Sequence, residues 1–386
     1  MLELDRPADV AAVAEDWDRL VAAAARPNVF LEREVFAAGW RTFGDPNPTG
    51  DPVRVLLVMR RGQATQFPDE PIGLFAVSTD RGFGRLCGPV LSMWRHKYAY
   101  DATPLLHRGE TVKAVDALFR WCDARGEINA VRFDECAGDG PLAMALAERT
   151  RVCPANVFEV DRYNRALLRP RRDAETYLTD CVSSRTRREL RRQWRRLCDV
   201  GAIETTIAAT PEQASAWVDE FLRLEARGWK SGTAIGAELE DVEYLRSVVS
   251  VLAAEGRFEG LTMTLDGRPI AMKMNFSSSP GAGGVRTAVA FKIAYDETFQ
   301  KFSPGVQLEL ETVRRFHEQS ALQHLDSCAS AAHPMIDRLW GDRTSRMDVV
   351  VSLGGWRADA AVGLRQAARW LRRRLRPRRG RPKANF

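Results

Sequence analysis

The same order of short motifs occurs twice along this chain. Residues 99–136 contain Ala-Tyr-Asp, a polar stretch ending in glycine, an apolar-periodic helix and a strand that ends in Asp-Glu-Cys. Residues 294–328 repeat that order, from Ala-Tyr-Asp to a strand that ends in Asp-Ser-Cys. Upstream of each copy, residues 55–77 and 261–276 both read as strand, turn and strand. The simplest interpretation is one duplicated fold, and only the second copy carries the residues expected to do chemistry.

The length and composition also favour two globular domains. A chain of 386 residues is long for a single core. No apolar run approaches the roughly 18 residues that a membrane span needs. The start, MLELDRPADV, lacks the apolar core of a secretory signal, so we expect a cytoplasmic protein. The predicted ranges are a degenerate first copy over 1–165, a second copy over 166–353 and a tail over 354–386.

Charge and cysteine usage exclude several classes of protein. The net charge of +6 is local, because ten Lys or Arg and no acid follow from Arg365 onward, and the remainder carries 47 basic and 51 acidic residues. A uniform nucleic-acid-binding surface is therefore not predicted. The seven cysteines are scattered with no CxxC pair, and no HxxxH occurs. We expect neither a disulfide framework nor a metal site.

Periodicity predicts an α/β fold with mixed sheets. The clearest element is a hairpin in which alternating apolar residues of 261–265 and 270–276 flank Asp266-Gly267. A strand over 285–291, a helix over 305–319, a strand over 322–326 and a short helix over 334–339 follow. One long helix is predicted over 174–198. Helices and strands alternate while a hairpin interrupts them, which favours mixed strand directions.

The loop Lys301-Phe302-Ser303-Pro304-Gly305 directly precedes a predicted helix. Proline favours a helix entry and glycine allows a close backbone approach, so the amides there could hold an anion. The alternative is ordinary capping of the helix by Ser303, which requires no ligand.

Three segments together resemble a known family. They are Glu225–Gly236 (EARGWKSGTAIG), Lys292–Gly305 (KIAYDETFQKFSPG) and Leu325–Arg343 (LDSCASAAHPMIDRLWGDR). They are similar to the GNAT-related domain of CelD-like proteins of cellulose and exopolysaccharide biosynthesis. That domain is similar in turn to Fem-type ligases, which are built from two GNAT units. The resemblance covers about Leu178 to Arg343, and the first copy follows it only in outline.

The resemblance implies an acyltransferase that uses acetyl-CoA or another acyl-CoA as co-substrate, with no metal. Its pyrophosphate would lie on Lys301, Phe302, Ser303 and Gly305, beside the strand Val285–Phe291. An amine or hydroxyl, on a small molecule or a cell-surface glycan precursor, would attack the thioester directly. Ordinary GNAT enzymes carry an Arg/Gln-x-x-Gly-x-Gly/Ala loop at this place, where this chain has KFSPG.

Three residues are candidates for catalysis. Asp326 ends a strand that reads as buried, so its carboxylate could act as general base, or it could cap the following turn. His333 could shuttle a proton, or it could position Pro334 and the helix start. Tyr295 could protonate a leaving thiolate, although its repeated triplet also suggests a scaffold role. For Cys328, a small buried thiol is favoured over a nucleophile.

The predicted substrate-binding residues are Trp229, Lys230, Lys292 and Asp296. Trp229 and Lys230 lie in a loop near three glycines, where an aromatic plate and a cation could meet a sugar or an acidic substrate. The competing interpretation is a buried tryptophan that holds the loop in place.

Two arginine-rich segments leave alternatives open. The first is the helix with Arg185, Arg187, Arg188, Arg191, Arg192, Arg195 and Arg196. A solvated outer face explains it simply, whereas a contact with tRNA would suit a Fem-type ligase that uses aminoacyl-tRNA. The second is the tail, which could lie on an anionic membrane as a basic amphipathic helix or dock on its own domain. A non-catalytic assembly protein for polysaccharide export is the third functional alternative.

Overall fold

The computed structural model describes residues 1–44, 51–62, 69–80, 88–152, 157–227, 234–281, 284–354 and 359. The chain divides into two compact units. The first consists of Met1–Arg26, Phe43–Tyr163 and Ser345–Phe386, and the second of Pro27–Thr42 and Asn164–Thr344. Each unit has its own apolar core.

The described part of the first unit contains both strands and helices. Its strands are β1 (Leu2–Leu4), β2 (Arg54–Arg60), β3 (Glu70–Asp80), β4 (Val90–Met93), β5 (Leu105–Leu106), β6 (Ala130–Ala137) and the larger parts of β7 (Val157–Leu168) and β13 (Asp342–Ser352). A 3-10 helix (Pro7–Val13) leads directly into α1 (Ala14–Ala23). The longer helices are α3 (Thr111–Arg125) and α4 (Pro141–Val152).

Most of the α-helices that the structure describes lie in the second unit. They are α2 (Arg33–Phe43), α5 (Ala174–Cys181), α6 (Ser184–Cys198), α7 (Pro211–Ala226), α8 (Leu239–Ala254) and α9 (Pro304–Glu318). Its strands are the end of β7 (Val157–Leu168), β8 (Ile203–Ala208), β9 (Phe258–Leu265), β10 (Arg268–Ser277), β11 (Arg286–Tyr295) and β12 (Leu322–Asp326).

The strand pairing of the two units follows one plan. In the first unit β2, β3 and β4 pair antiparallel in sequence, and β4 pairs parallel with β6. In the second unit β9, β10 and β11 pair antiparallel in sequence, and β11 pairs parallel with β12. The helix that precedes the parallel partner is 15 residues long in both units, α3 in the first and α9 in the second. The repeated motif order of the sequence therefore corresponds to a repeated topology with mixed sheets.

The predicted hairpin forms as expected. Asp266 and Gly267 both adopt left-handed φ, 48° and 79°, between β9 and β10. Two successive left-handed residues match the twist of the flanking strands, and glycine takes this conformation without steric cost. Asp266 also accepts a 2.8 Å hydrogen bond from the Ala202 amide. The turn therefore sets the register of the strands that lead to the candidate site.

Two predicted helices require correction. The helix predicted over 174–198 is two helices, because the chain is extended at Val182 and Ser183 between α5 and α6. Asp173 caps α5 and Ser183 caps α6, and the Ser183 cap satisfies the Thr186 amide, which a continuous helix would not leave open. The helix predicted over 334–339 is only a 3-10 turn, Ile336–Arg338.

The compact units do not follow a single cut of the chain near residue 165. Residues 27–42 belong to the second unit, where Glu32 forms a buried ion pair with Arg257 and accepts a 2.8 Å bond from the Ser279 amide. Residues 345–352 belong to the first unit, because β13 pairs with β6 from Arg346↔Ala137 to Ser352↔Ala130. Apart from residues 354 and 359, the predicted tail lies outside the described residues. Among those described, no helix combines the length and apolarity that a membrane crossing requires.

Candidate active site

The candidate site begins where the parallel strands β11 and β12 stop pairing. Their register runs from Arg286↔Leu322 to Val289↔Asp326, and β12 ends there. β11 continues to Tyr295 and stays paired with β10 on its other side. Along its last residues β11 therefore has no β12 beside it, which leaves backbone groups on that edge available to a ligand.

A β-bulge lies in the same part of β11. Met274 pairs with Lys292 and the next residue, Asn275, pairs with Ala290, so Phe291 is the extra residue. A bulge increases the local twist and turns the strand, and such features often lie beside active sites. The bulge falls just beyond the point where β12 ends, so both features change the same part of β11.

The N-terminus of α9 follows this part of β11. Ser303 is the N-cap and adopts a left-handed φ of 54°, but its side chain makes no capping hydrogen bond. The alternative of capping by the Ser303 side chain is therefore not realised. Pro304 has no amide, whereas the Gly305 and Val306 amides belong to the first helical turn and have no carbonyl acceptor within the helix.

Gly305 allows α9 to start close to β11. A Cβ atom at this position would lie only 3.3 Å from the Tyr295 Cδ1 atom and 3.7 Å from the Ile293 Cδ1 atom. The ring of Tyr295 is half-buried and packs with the apolar cluster that contains Phe302 and Leu308. Lys301 is exposed, with Nζ 4.8 Å from the centroid of the Phe302 ring. The structure thus brings Tyr295 and the loop 301–305 together.

Asp326 is buried and paired. Its Oδ2 atom lies 2.8 Å from a guanidinium nitrogen of Arg165, and both side chains are almost completely inaccessible. Its Oδ1 atom accepts a 2.9 Å bond from the Cys328 amide, so the carboxylate also caps the turn after β12. Sequence reasoning did not identify Arg165, because this residue lies on β7, far from the three motifs.

His333 and Cys328 lie in the segment after β12. The Nδ1 atom of His333 accepts a weak 3.4 Å bond from the Ile336 amide, and its carbonyl accepts from Asp337. Both contacts hold the start of the 3-10 turn, which is consistent with the alternative in which His333 positions this segment. Cys328 is half-buried and adopts a left-handed φ of 52°. A catalytic role for His333 stays a prediction.

Asp296 has a structural counterpart in the first unit. It accepts bonds of 2.9 and 2.6 Å from the amide and hydroxyl of Thr298, and it forms an ion pair with Arg268. Asp101 makes the same pair of bonds with Thr103 and an ion pair with Arg346. In both units the aspartate of the Ala-Tyr-Asp triplet therefore holds the chain after its strand. Substrate binding by Asp296 stays a prediction.

Lys292 links two of the three motifs. Its Nζ atom lies 2.8 Å from Oε1 of Glu225, while Oε2 of Glu225 accepts a 2.9 Å bond from the Ile235 amide. Glu225 thus holds both ends of the loop 225–235 near β11. The predicted pair Trp229 and Lys230 lies outside the described residues.

A buried ion pair that the sequence did not reveal lies beside the bulge. Lys273 on β10 is opposite Ile293, and its Nζ atom is 2.6 Å from Oε2 of Glu309 on α9. Both side chains are at most 2% exposed, and Nζ lies 5.1 Å from the centroid of the Trp340 ring. Burial lowers the pKa of Lys273, while Glu309 acts to raise it. The only sequence signal was a lysine among the apolar residues of the hairpin.

The arginine-rich helix is strongly amphipathic. Leu190 and Leu197 are buried on one side of α6, while Arg188, Arg192 and Arg196 are exposed. Arg192 pairs with Glu189 at 2.8 Å. Across the described ranges, no three His, Cys, Asp or Glu side chains group together as a metal site would require.

Part of the second unit matches a known family of protein domains. Residues 184–333 match the family model described as acetyltransferase (GNAT) domain. Over these residues the chain is similar to GNAT acetyltransferase domains. The matched segment runs from the start of α6 to His333 and includes β11, the 301–305 loop and β12. The predicted α/β fold of GNAT-like units is confirmed, as is the prediction of an acyltransferase.

Solved structures with the same fold extend over nearly the whole chain. One is FemX, at 10% identity and a TM-score of 0.56, covering 95% of this chain and 100% of that one. Another is a conserved protein of unknown function from Bacteroides thetaiotaomicron VPI-5482, at 12% identity and a TM-score of 0.52, covering 91% and 99%. At these identities the likeness shows the fold. No curated protein matches the sequence.

Proposed function

We propose that the GNAT domain transfers an acyl group from acyl-CoA to an amine or hydroxyl acceptor. The observation that carries this proposal is the early end of β12 beside a bulged β11, together with the start of α9, which follows β11 after a 3-10 helix (Glu297–Phe302) and has no side-chain cap. These features supply an open strand edge and first-turn amides within one short segment.

Each feature suits one part of an acyl-CoA. The amides of Gly305 and Val306, with the partial positive charge of the helix N-terminus, suit the pyrophosphate. Exposed Lys301 adds a full positive charge in the loop that leads to them. Backbone N–H groups of β11 beyond Val289 suit the amide groups of the pantetheine and would polarise the thioester carbonyl. The acceptor then attacks directly, and rate enhancement comes mainly from positioning.

The three catalytic candidates differ in what their contacts support. Tyr295 lies against Gly305, where its hydroxyl could protonate the leaving thiolate. Asp326 is held by Arg165 and by the Cys328 amide, which supports a positioning role for its carboxylate. We therefore place Tyr295 first, and we expect Tyr295→Phe to lower kcat more than it raises KM.

Binding of acetyl-CoA to the full-length protein tests the proposal. Isothermal titration should detect binding, and Lys301→Glu should weaken it at least about threefold at low salt because it reverses a charge near the phosphates. Arg120→Glu, which reverses an exposed charge on α3 of the first unit, is the matched control and should bind normally. No binding at millimolar acetyl-CoA would reject the proposal.

The acceptor proposed from the CelD-like resemblance is a glycan precursor. Release of free CoA thiol in the presence of amino sugars, compared with simple alkyl amines, tests that finer proposal. Turnover with alkyl amines alone would retain acyl transfer but contradict the glycan acceptor.

A second candidate function is a Fem-type ligase that uses aminoacyl-tRNA. The observations that favour it are the exposed arginines of α6 and the fold shared with FemX over both chains. Salt-sensitive tRNA binding, lost when Arg188, Arg191 and Arg192 are replaced by glutamine, would support it. If neither tRNA nor acetyl-CoA binds, the remaining candidate is a non-catalytic assembly protein.

A further inference from the structure

A groove of about 670 Å³ lies between α5, α6 and α9 at the β8–β9 side of the second unit. Its apolar lining consists of Leu178, Leu190, Trp194, Ile203, Met263 and Leu310. The volume falls within the range of about 300–1,000 Å³ that is usual for small-molecule sites. An apolar concavity of this size suits one ligand molecule better than a flat macromolecular surface.

The groove is separate from the proposed acyl-transfer site. On α9 the groove is lined by residues 307, 310, 311 and 314. The residues of α9 buried toward the sheet include 305, 308, 309, 312, 313 and 316. At about 100° per residue these two sets lie on opposite faces of the helix. The groove and the Lys273–Glu309 pair are therefore on different sides of α9.

The charged part of the lining is cationic. It contains four arginines and two glutamates, namely Arg187, Arg191, Arg195, Arg314, Glu175 and Glu311. Arg314 pairs with Glu311 at 2.9 Å, and Arg191 lies 3.7 Å from Glu175. Arg187 donates a 2.8 Å bond to the Thr179 hydroxyl, and neither Arg187 nor Arg195 has a carboxylate partner among the residues that the structure describes. Two guanidinium groups are thus left to bind an anion.

We propose that this groove binds a monomeric alkyl phosphate, a ligand with an apolar body and a phosphate monoester head. The apolar lining would bury the chain, and Arg187 and Arg195 would bind the phosphate, for which guanidinium geometry is suited. RNA phosphates would use the exposed arginines of α6 without any need for the apolar lining. The combination of both features favours the amphipathic ligand, and this site does not depend on acyl transfer.

Equilibrium binding of decyl phosphate, below its micelle concentration, to the full-length protein tests the proposal. Arg195→Gln should weaken binding by about tenfold or more, the usual effect of losing a charge-assisted hydrogen bond. Arg196→Gln, one residue along α6 and outside the groove lining, is the matched control and should bind as the parent does. Inorganic phosphate and decyl maltoside should each bind at least about tenfold more weakly, because each lacks one half of the recognised chemistry.

Two tryptophan variants test the groove by filling space, without any change of charge. Thr205 lines the groove on β8, so Thr205→Trp should fill the groove and abolish decyl phosphate binding. Thr206 points to the other face of β8, so Thr206→Trp should leave binding unchanged. Both sites are exposed, and thermal unfolding should confirm that both variants fold. No decyl phosphate binding, equal binding by the two tryptophan variants, or competition by tRNA alone would overturn the proposal.

Discussion

At the scale of single residues, the second unit contains charges that its core must accommodate. Lys273 and Glu309 are buried together, and so are Arg165 and Asp326. Removing a charge from water is costly, and an ion pair offsets that cost only when both partners are present. We therefore expect that replacing one member of a buried pair beside β11 and β12 lowers the stability strongly, whereas replacing both members lowers it much less.

The Lys273–Glu309 pair gives a direct prediction. Lys273→Met leaves Glu309 buried without its partner and should lower the free energy of unfolding by about 3–5 kcal/mol. The double variant Lys273→Met/Glu309→Leu should recover most of that loss, because it leaves no buried charge behind. Urea unfolding of the two single variants and the double variant measures the coupling. Additive losses would contradict a direct interaction between the two side chains.

A second residue-scale prediction concerns pH. Burial alone would raise the pKa of Asp101, but Arg346 and Arg26 and the bond from Thr103 overcome it and lower the pKa to about 2. A carboxyl whose pKa is lowered on folding stabilises the folded state above its ordinary pKa near 4, and that contribution disappears as the pH falls through 2.

Asp101→Asn should therefore remove about 2 kcal/mol of stability at neutral pH. It should also flatten the decline in stability between about pH 4 and pH 2. Guanidinium unfolding across that range gives the measurement, with Asp123→Asn, at an exposed position on α3 of the first unit, as the control. An unchanged pH profile for Asp101→Asn would show that Arg346 and Asp101 are not coupled in this way.

At the scale of elements, local sequence signals succeeded where the cause is local. The Asp266-Gly267 hairpin and β12 form where predicted because turn chemistry and alternation specify them. The division of 174–198 into α5 and α6 was missed, although Asp173 and Ser183 are recognisable caps. Helix α7 was also not predicted, although Thr210, Pro211 and Gln213 form a readable capping box.

The hairpin turn provides the prediction for this scale. Gly267 has a φ of 79°, so Gly267→Ala should cost about 1–2 kcal/mol of stability and weaken the pairing of β9 with β10. Gly236→Ala is the matched control, because a Cβ atom there meets nothing within 4 Å and the backbone is not left-handed. Hydrogen exchange of the β9 and β10 amides, together with thermal unfolding, should separate the two variants. Equal stability would mean that the turn does not limit the hairpin.

At the scale of the whole molecule, the repeated motif order predicted two related units but not which segments of the chain belong to each. Periodicity reports which segments are strands, whereas partners distant in sequence decide where each strand pairs. β13 pairs with β6, and Leu167 and Leu168 of β7 pair with β12. The candidate site shows the same limit, because Arg165 and Lys273 reach it through tertiary contacts that no motif records.

The segments that form the second unit predict where the chain can be cut without loss of stability. A fragment of residues 166–353 lacks Glu32 and Arg165, and it would leave Arg257 and Asp326 buried without their partners. It also carries the whole of β13 without β6, which exposes an unpaired strand edge. We expect this fragment to unfold at a lower temperature than residues 27–42 joined by a flexible linker to 164–344. Thermal unfolding and limited proteolysis compare the two, and equal stability would contradict the division of the chain into these compact units.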